Sequence, residues 1–212
     1  MDCAICSTPT YLYYIHNKRN KQLYFRCPEC KTIAMHPQHY PTLEEEKARY
    51  LTHNNDVYDP GYRKFVRPVI QAVNTHTQPH HHGIDYGAGT GPVITKLLQE
   101  QGYTMTTYDP IFIPNTKALN NTYDFIVCCE VAEHFHDPQS EFARFNKLLN
   151  PGGILIIKTE FLLTEIDFSN WYYINDPTHT IFYSYKGIRR LLSQHEFQCL
   201  DIFPRLAIAM KI

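Results

Sequence analysis

Four groups of residues have types and spacings that could do chemistry. The stretch Ile84-Asp85-Tyr86-Gly87-Ala88-Gly89-Thr90-Gly91 ends an apolar run on a carboxylate and then alternates three glycines. Glycine permits positive φ and close backbone approach, so this is the pattern of a strand, a loop and a helix that grip an anionic or zwitterionic cofactor. A carboxylate at the buried end of a strand needs a fixed hydrogen-bonding task, and receiving the ammonium end of a ligand suits Asp85. The second group is Glu130-Val131-Ala132-Glu133-His134, directly after the apolar run 123–129. If the chain turns helical at Glu130, then Glu130, Glu133 and His134 share one face, and two carboxylates with an imidazole suit a divalent cation. The third is the aromatic segment 171–184, which holds the only tryptophan, Tyr172, Tyr173, Tyr183 and His179, a composition suited to stacking on a planar substrate. The fourth is a pair of Cys-x-x-Cys steps, Cys3 with Cys6 and Cys27 with Cys30, four soft ligands in tetrahedral reach of one zinc ion.

The elements that must position these groups follow from periodicity. Between the cysteine pairs, the aromatic halves 11–15 and 22–25 flank the polar turn 17–21, which predicts a β-hairpin carrying two thiolates at each side. A piece of about 35 residues buries too little apolar surface to fold alone, so metal binding would supply the missing free energy. Four cysteines fill the coordination sphere, which makes this zinc structural. Lys18, Arg19 and Lys21 in the turn either contact phosphate or form an ordinary solvated loop. Thr42 before Glu44, Glu45 and Glu46 predicts a helix N-terminus, with a helix running towards Leu51 or His53. Apolar residues at helical spacing predict a second helix over 62–74. A third runs from Val93 to Gln101, ended by Gly102. The strand 103–108 then delivers Asp109 about 20 residues beyond the glycines, where Rossmann-like sites place an acid for the ribose hydroxyls. The glycines alone would fit a nicotinamide-binding site equally well.

Asp-Tyr-Gly-Ala-Gly-Thr-Gly together with Asp109, the apolar strand 123–129 and the turn Asn150-Pro151-Gly152-Gly153 resembles the class I S-adenosylmethionine-dependent methyltransferases, in order, over about 62–212. The cysteine hairpin resembles a zinc ribbon. The resemblance implies an α/β fold, a Rossmann-like mostly parallel sheet closed by an antiparallel C-terminal hairpin. It implies three regions, a zinc ribbon (1–36), a linker or lid helix (37–60) and the methyltransferase domain (61–212). It further implies S-adenosylmethionine bound by Asp85, Gly87, Ala88, Gly89, Gly91, Asp109, Pro110 and Glu130, with Tyr50 and His53 as lid residues. Glu-x-x-Glu-His is similar to the metal-binding segment of small-RNA 2′-O-methyltransferases and of the O-methyltransferases of ubiquinone biosynthesis. By that likeness His179 completes a second metal set with Glu130, Glu133 and His134. Without an ion, the catalytic residues are His179 as general base, His134 and Glu133, or the Glu-His pair merely lines the cofactor pocket. One departure stands out. Residues 110–122 leave room only for a short loop where this fold usually adds a strand and a helix, so the sheet should be reduced by one strand.

Composition sets the outer bounds. The chain has 212 residues, 43% hydrophobic and 19% charged, with seven cysteines and a formal net charge of −1, values of a globular protein without disordered or membrane bias. No apolar run approaches the roughly 20 residues of a membrane span, and Met1-Asp2-Cys3 leaves no room for a signal peptide, so a cytoplasmic protein is expected. The near-neutral charge removes the usual argument for tight nucleic-acid binding by the whole surface. The expected activity is O-methylation of a small molecule. The alternatives are an RNA methyltransferase docking through the ribbon, or a scaffold that binds S-adenosylmethionine without turnover.

Overall fold

The computed structural model describes residues 1–17, 21–52 and 56–212. Lys18, Arg19 and His53 lie outside the described residues. Two sheets organise the chain. The larger has the order β5-β4-β6-β7-β10-β9, made of β4 (His82–Tyr86), β5 (Thr104–Tyr108), β6 (Tyr123–Cys129), β7 (Leu149–Lys158), β9 (Phe197–Phe203) and β10 (Leu206–Lys211). β5, β4, β6 and β7 run parallel, whereas β10 is antiparallel to β7 and β9 to β10. That is the expected mostly parallel sheet with an antiparallel C-terminal hairpin. β5 is its edge, so the strand expected to be missing is indeed missing. Residues 110–122 are instead a loop with a 3₁₀ turn, Thr116–Asn120, held by the Tyr123 hydroxyl donating to the Ala118 carbonyl at 2.8 Å.

The smaller sheet has the order β1-β2-β3-β8, from β1 (Tyr11–His16), β2 (Gln22–Arg26), β3 (Ile33–Met35) and β8 (Ile181–Phe182). The hairpin is the one predicted. Its completion by β8 was not legible, because the two-residue pairing of Ile33 with Phe182 and Ala34 with Ile181 joins stretches far apart in sequence. Cys3, Cys27 and Cys30 are packed in one apolar cluster with Tyr183, Ile188 and the β6 and β7 side chains. Gly187 permits this contact, since a Cβ there would sit 2.1 Å from Thr32 Oγ1.

Helix α1 (Leu43–Tyr50) opens with both halves of a capping box, Thr42 Oγ1 accepting from Glu45 N and Glu45 Oε2 accepting from Thr42 N. Each such cap is worth about 1 kcal/mol. None of its residues is buried, so side-chain contacts with the loops must hold it. α2 (Pro60–His76) runs longer than its apolar pattern because Asp59 caps it and Pro60 starts it. It packs its face Val66, Val69, Ile70 and Val73 with α3 (Val93–Gln99) onto the sheet. α4 (Pro138–Leu148) and α5 (Tyr185–Gln194) contribute Phe142, Phe145, Leu191 and Leu192 to the larger cluster. The core therefore lies on both faces of a sheet whose β6 is almost wholly buried.

Candidate functional site

The carboxyl ends of β4, β5 and β6 open into a cavity of about 880 Å³, where ligands bind in open parallel sheets. Its floor is the glycine loop. Gly87 and Gly89 have φ of +81° and +60°, and a Cβ on Gly87 would lie 2.4 Å from Val131 Cγ2. Gly91 is not at positive φ and, unlike Gly87, Ala88 and Gly89, is not part of the cavity wall. Asp109 also lines the cavity. Its carboxylate fastens the loop by accepting from Gly89 N at 3.0 Å and from Ile111 N and Phe112 N at 2.8 Å each.

Asp85 sits behind the glycine loop. The residue does not line the cavity, and Oδ2 accepts from Thr95 Oγ1 on α3 at 2.9 Å. Burial pushes its carboxyl up to about 6, against the hydrogen bonds from Thr95. The reason is strand alternation: Tyr86 faces the cavity, so its neighbour Asp85 faces α3.

The Glu130–His134 segment departs from the helix expected of it. Glu130 is not helical; it has φ of +54°, and only Ala132–His134 form a 3₁₀ turn. The three residues therefore do not share a helical face. Glu130 instead takes Lys158 Nζ at 2.5 Å, and Lys158, almost fully buried, also stands 3.4 Å from the Phe65 ring centre. Burial and the Glu133 carboxylate still push the Glu130 carboxyl up to about 7.

Glu133, His134 and His179 do come together: a carboxylate oxygen and one nitrogen of each imidazole lie within 4.8 Å of one another. The backbone brings this about. Thr180 N donates to the Glu133 carbonyl at 2.8 Å, and the Tyr183 hydroxyl donates to the Ala132 carbonyl at 3.0 Å. His134 Nδ1 lies 2.8 Å from the Thr178 carbonyl and His179 Nδ1 lies 2.7 Å from the Tyr173 carbonyl. A carbonyl only accepts, so each neutral ring carries its proton on Nδ1 and keeps a lone pair on Nε2. Burial pushes the His179 imidazole below its ordinary value, with His134 adding in the same direction. Glu133 is 1% exposed; Oε1 accepts from the Tyr173 hydroxyl at 2.6 Å, while Oε2 is buried with no hydrogen-bond partner. Burial alone would raise this carboxyl, but the two imidazoles and the Tyr173 hydroxyl hold it below its ordinary value. An orphaned buried carboxylate oxygen beside two bare imidazole nitrogens is a donor set for a cation or a proton.

Against known sequences, the family described as a methyltransferase domain matches residues 58–202. The chain belongs to the class I S-adenosylmethionine-dependent methyltransferases. The ubiquinone biosynthesis O-methyltransferase of Pectobacterium atrosepticum is 32% identical over 77 residues, which are 36% of this chain and 32% of that enzyme. The chain thus spans about a third of that relative. Among solved structures, the 1,6-didemethyltoxoflavin-N1-methyltransferase of Burkholderia thailandensis, with bound 1,6-didemethyltoxoflavin and S-adenosylhomocysteine, has a TM-score of 0.58 at 15% identity and covers 94% of this chain and 99% of its own. Magnesium protoporphyrin IX methyltransferase from Synechocystis PCC 6803 has a TM-score of 0.55 at 13% identity, over 82% of this chain and 97% of its own. These likenesses describe the fold.

In this methyltransferase, Pro110, Glu130 and Tyr50 also line the cavity, and the Tyr50 ring stands edge-on to His134 at 5.2 Å. α1 is latched over the opening by Arg49 to Asp176, at 2.7 and 2.9 Å, and by Glu46 to His136 at 3.3 Å. Residues the sequence reading missed form the far wall. Tyr86 donates to Glu141 Oε2 at 2.5 Å and accepts from Arg144 at 2.8 Å, beside Tyr108 and Phe112. The one available signal was the Glu141/Arg144 pair one turn apart on α4.

Away from the cavity, the four cysteine sulfurs lie within 4.8 Å of one another, with Cys3–Cys30 at 3.5 Å and Cys6–Cys27 at 3.4 Å. Tetrahedral zinc–thiolate bonds of about 2.3 Å need sulfur–sulfur edges of about 3.8 Å, so the donor set fits. Each Cys-x-x-Cys folds alike. Cys3 and Cys27 sulfurs accept from Ile5 N and Cys30 N at 3.4 Å, and Ser7 and Lys31, just past the pairs, have φ of +56° and +63°. No helix among the described residues is long and apolar enough to cross a membrane.

Proposed function

We propose that this chain transfers a methyl group from S-adenosylmethionine to a hydroxyl of a small, planar acceptor, and that Glu133, His134 and His179 manage the acceptor oxygen. The carrying observation is the orphaned Glu133 Oε2 beside two imidazoles whose Nδ1 protons are already committed to carbonyls. Gly87, Ala88, Gly89, Asp109 and Pro110 would cradle the cofactor, while Asp85 anchors the loop from behind. Tyr50, Tyr172 and Tyr173, all in the cavity wall, would sandwich a flat ring. The trio would hold a divalent cation, which when bound lowers the pKa of the acceptor hydroxyl. The chain's own residues then orient the acceptor and exclude water as α1 closes the opening. Without an ion, Nε2 of His179 takes the hydroxyl proton, with Glu133 stabilising the imidazolium that results.

The four cysteines would hold a structural zinc that fixes β3 and through it β8, two residues from His179. Supporting the small-molecule reading are the aromatic lining of the cavity and the sequence likeness to an O-methyltransferase. The test is calorimetric titration with S-adenosylmethionine, followed by methyl transfer to hydroxylated aromatics read by mass spectrometry, with and without manganese. Binding without transfer to any hydroxyl, in either condition, would overturn the reading.

A further inference from the structure

The charges around the cavity restrict the acceptor more tightly than its shape does. Seven carboxylates and only two guanidiniums line it. Neither guanidinium is available. Arg49 is held by Asp176 and donates to Thr52 at 2.7 Å; Arg144 is held by Glu141 at 2.7 Å and by the Tyr86 hydroxyl. Lys158, just behind the wall, is spent on Glu130. Among the described residues every cationic side chain at the cavity thus has its carboxylate, and the excess of carboxylates remains. Glu133 and Asp176 are the acids that act on His179, Glu46 stands 3.3 Å from His136 in the same cavity wall, and Glu133 keeps an unpartnered oxygen.

We infer that the acceptor is an uncharged or cationic molecule, and that acceptors bearing carboxylate or phosphate, RNA among them, are rejected. The inference rests on the small-molecule reading above and names its substrate class. S-adenosylmethionine, whose sulfonium and ammonium outweigh its one carboxylate, suits such a wall. It and one divalent ion together bring three net positive charges against the four carboxylates left over by Arg49, Arg144 and Lys158, so the cavity keeps a net negative charge and an anionic acceptor finds no free cationic side chain there. Like charges about 8 Å apart in a half-buried site cost tenfold or more in affinity, and the site is built to impose that cost on anions.

Three probes of one shape test this: dopamine, 4-methylcatechol and protocatechuate, respectively cationic, neutral and anionic, offered to the protein with saturating S-adenosylmethionine and manganese. The expected result is kcat/KM for the first two at least about tenfold above the third, the gap narrowing as salt rises from about 20 to 500 mM. Glu46→Gln should narrow the same gap at low salt. Equal or faster methylation of protocatechuate, or methylation of a short RNA duplex, overturns the inference. If the protein binds S-adenosylmethionine but none of the three catechols, the acceptor class is wrong. If S-adenosylmethionine itself does not bind, the failure lies with the proposed function instead.

Discussion

His134 and His179 meet edge to face with ring centres 4.9 Å apart, although one follows β6 and the other lies in the segment between β7 and β8. Each spends its Nδ1 on a backbone carbonyl of the 172–179 segment. The two side chains therefore depend on that segment's conformation more than on each other. Asp176 sets that conformation by accepting from Thr178 N at 3.0 Å and Thr178 Oγ1 at 2.6 Å.

Removing Glu133's charge should separate chemistry from binding. Glu133→Gln is expected to lower kcat about 10²- to 10⁴-fold, the range of general-base catalysis, because the His179 imidazolium loses the carboxylate that stabilises it, with S-adenosylmethionine affinity changed less than about threefold. Calorimetry and single-turnover rates on the same sample check both halves. Manganese binding that is identical in wild type and variant would remove the cation from the site.

Cofactor binding should depend on pH through Asp85. Its carboxyl, raised to about 6 by burial, ionises more readily when a cationic ligand settles nearby. Affinity for S-adenosylmethionine should therefore be full above about pH 7 and fall as pH drops through 6. Asp85→Asn should flatten that profile; an unchanged profile in the variant assigns the dependence elsewhere.

The glycine loop should not tolerate a side chain at its first glycine. Gly87→Ala meets Val131 and adopts an unfavourable φ of +81°, which should cost about 1–3 kcal/mol and abolish cofactor binding. Adding Val131→Ala relieves the contact but not the dihedral, so urea denaturation should show partial recovery only.

Metal removal should be felt beyond the cysteines. Elemental analysis is expected to find one zinc per chain. Because Ser184 Oγ donates to the Cys30 carbonyl and Met35 N donates to the Thr180 carbonyl at 2.8 Å, chelation should lower the melting temperature and suppress methyl transfer together. Loss of zinc with full activity would contradict the connection through β3 and β8.

Arg49 should matter more for substrate than for stability. The pair with Asp176 is partly exposed on the arginine side, 36% against 11%, so Arg49→Ala should cost less than about 1 kcal/mol. Freed from its latch, α1 should raise the acceptor KM severalfold, and Arg49→Lys should restore part of it.

The sequence by itself determined the local elements and their order. Alternating glycines after Asp85, the unbroken apolar β6 and the shortness of 110–122 forced a Rossmann-like sheet with one strand fewer, because backbone freedom, burial and loop length are local properties. The paired cysteines were equally legible, since a Cys-x-x-Cys turn needs only its own few residues. Tertiary structure alone decided which way side chains point at strand ends and which distant segments meet. It turned Asp85 towards Thr95, and Glu130 towards Lys158 against the expectation of a helical face. It also joined β3 to β8, and Glu133 to Tyr173, through pairings with no periodic trace in the sequence. A strand end can face either side of the sheet at equal local cost, and only packing against α2, α3 and the 172–184 segment breaks that tie.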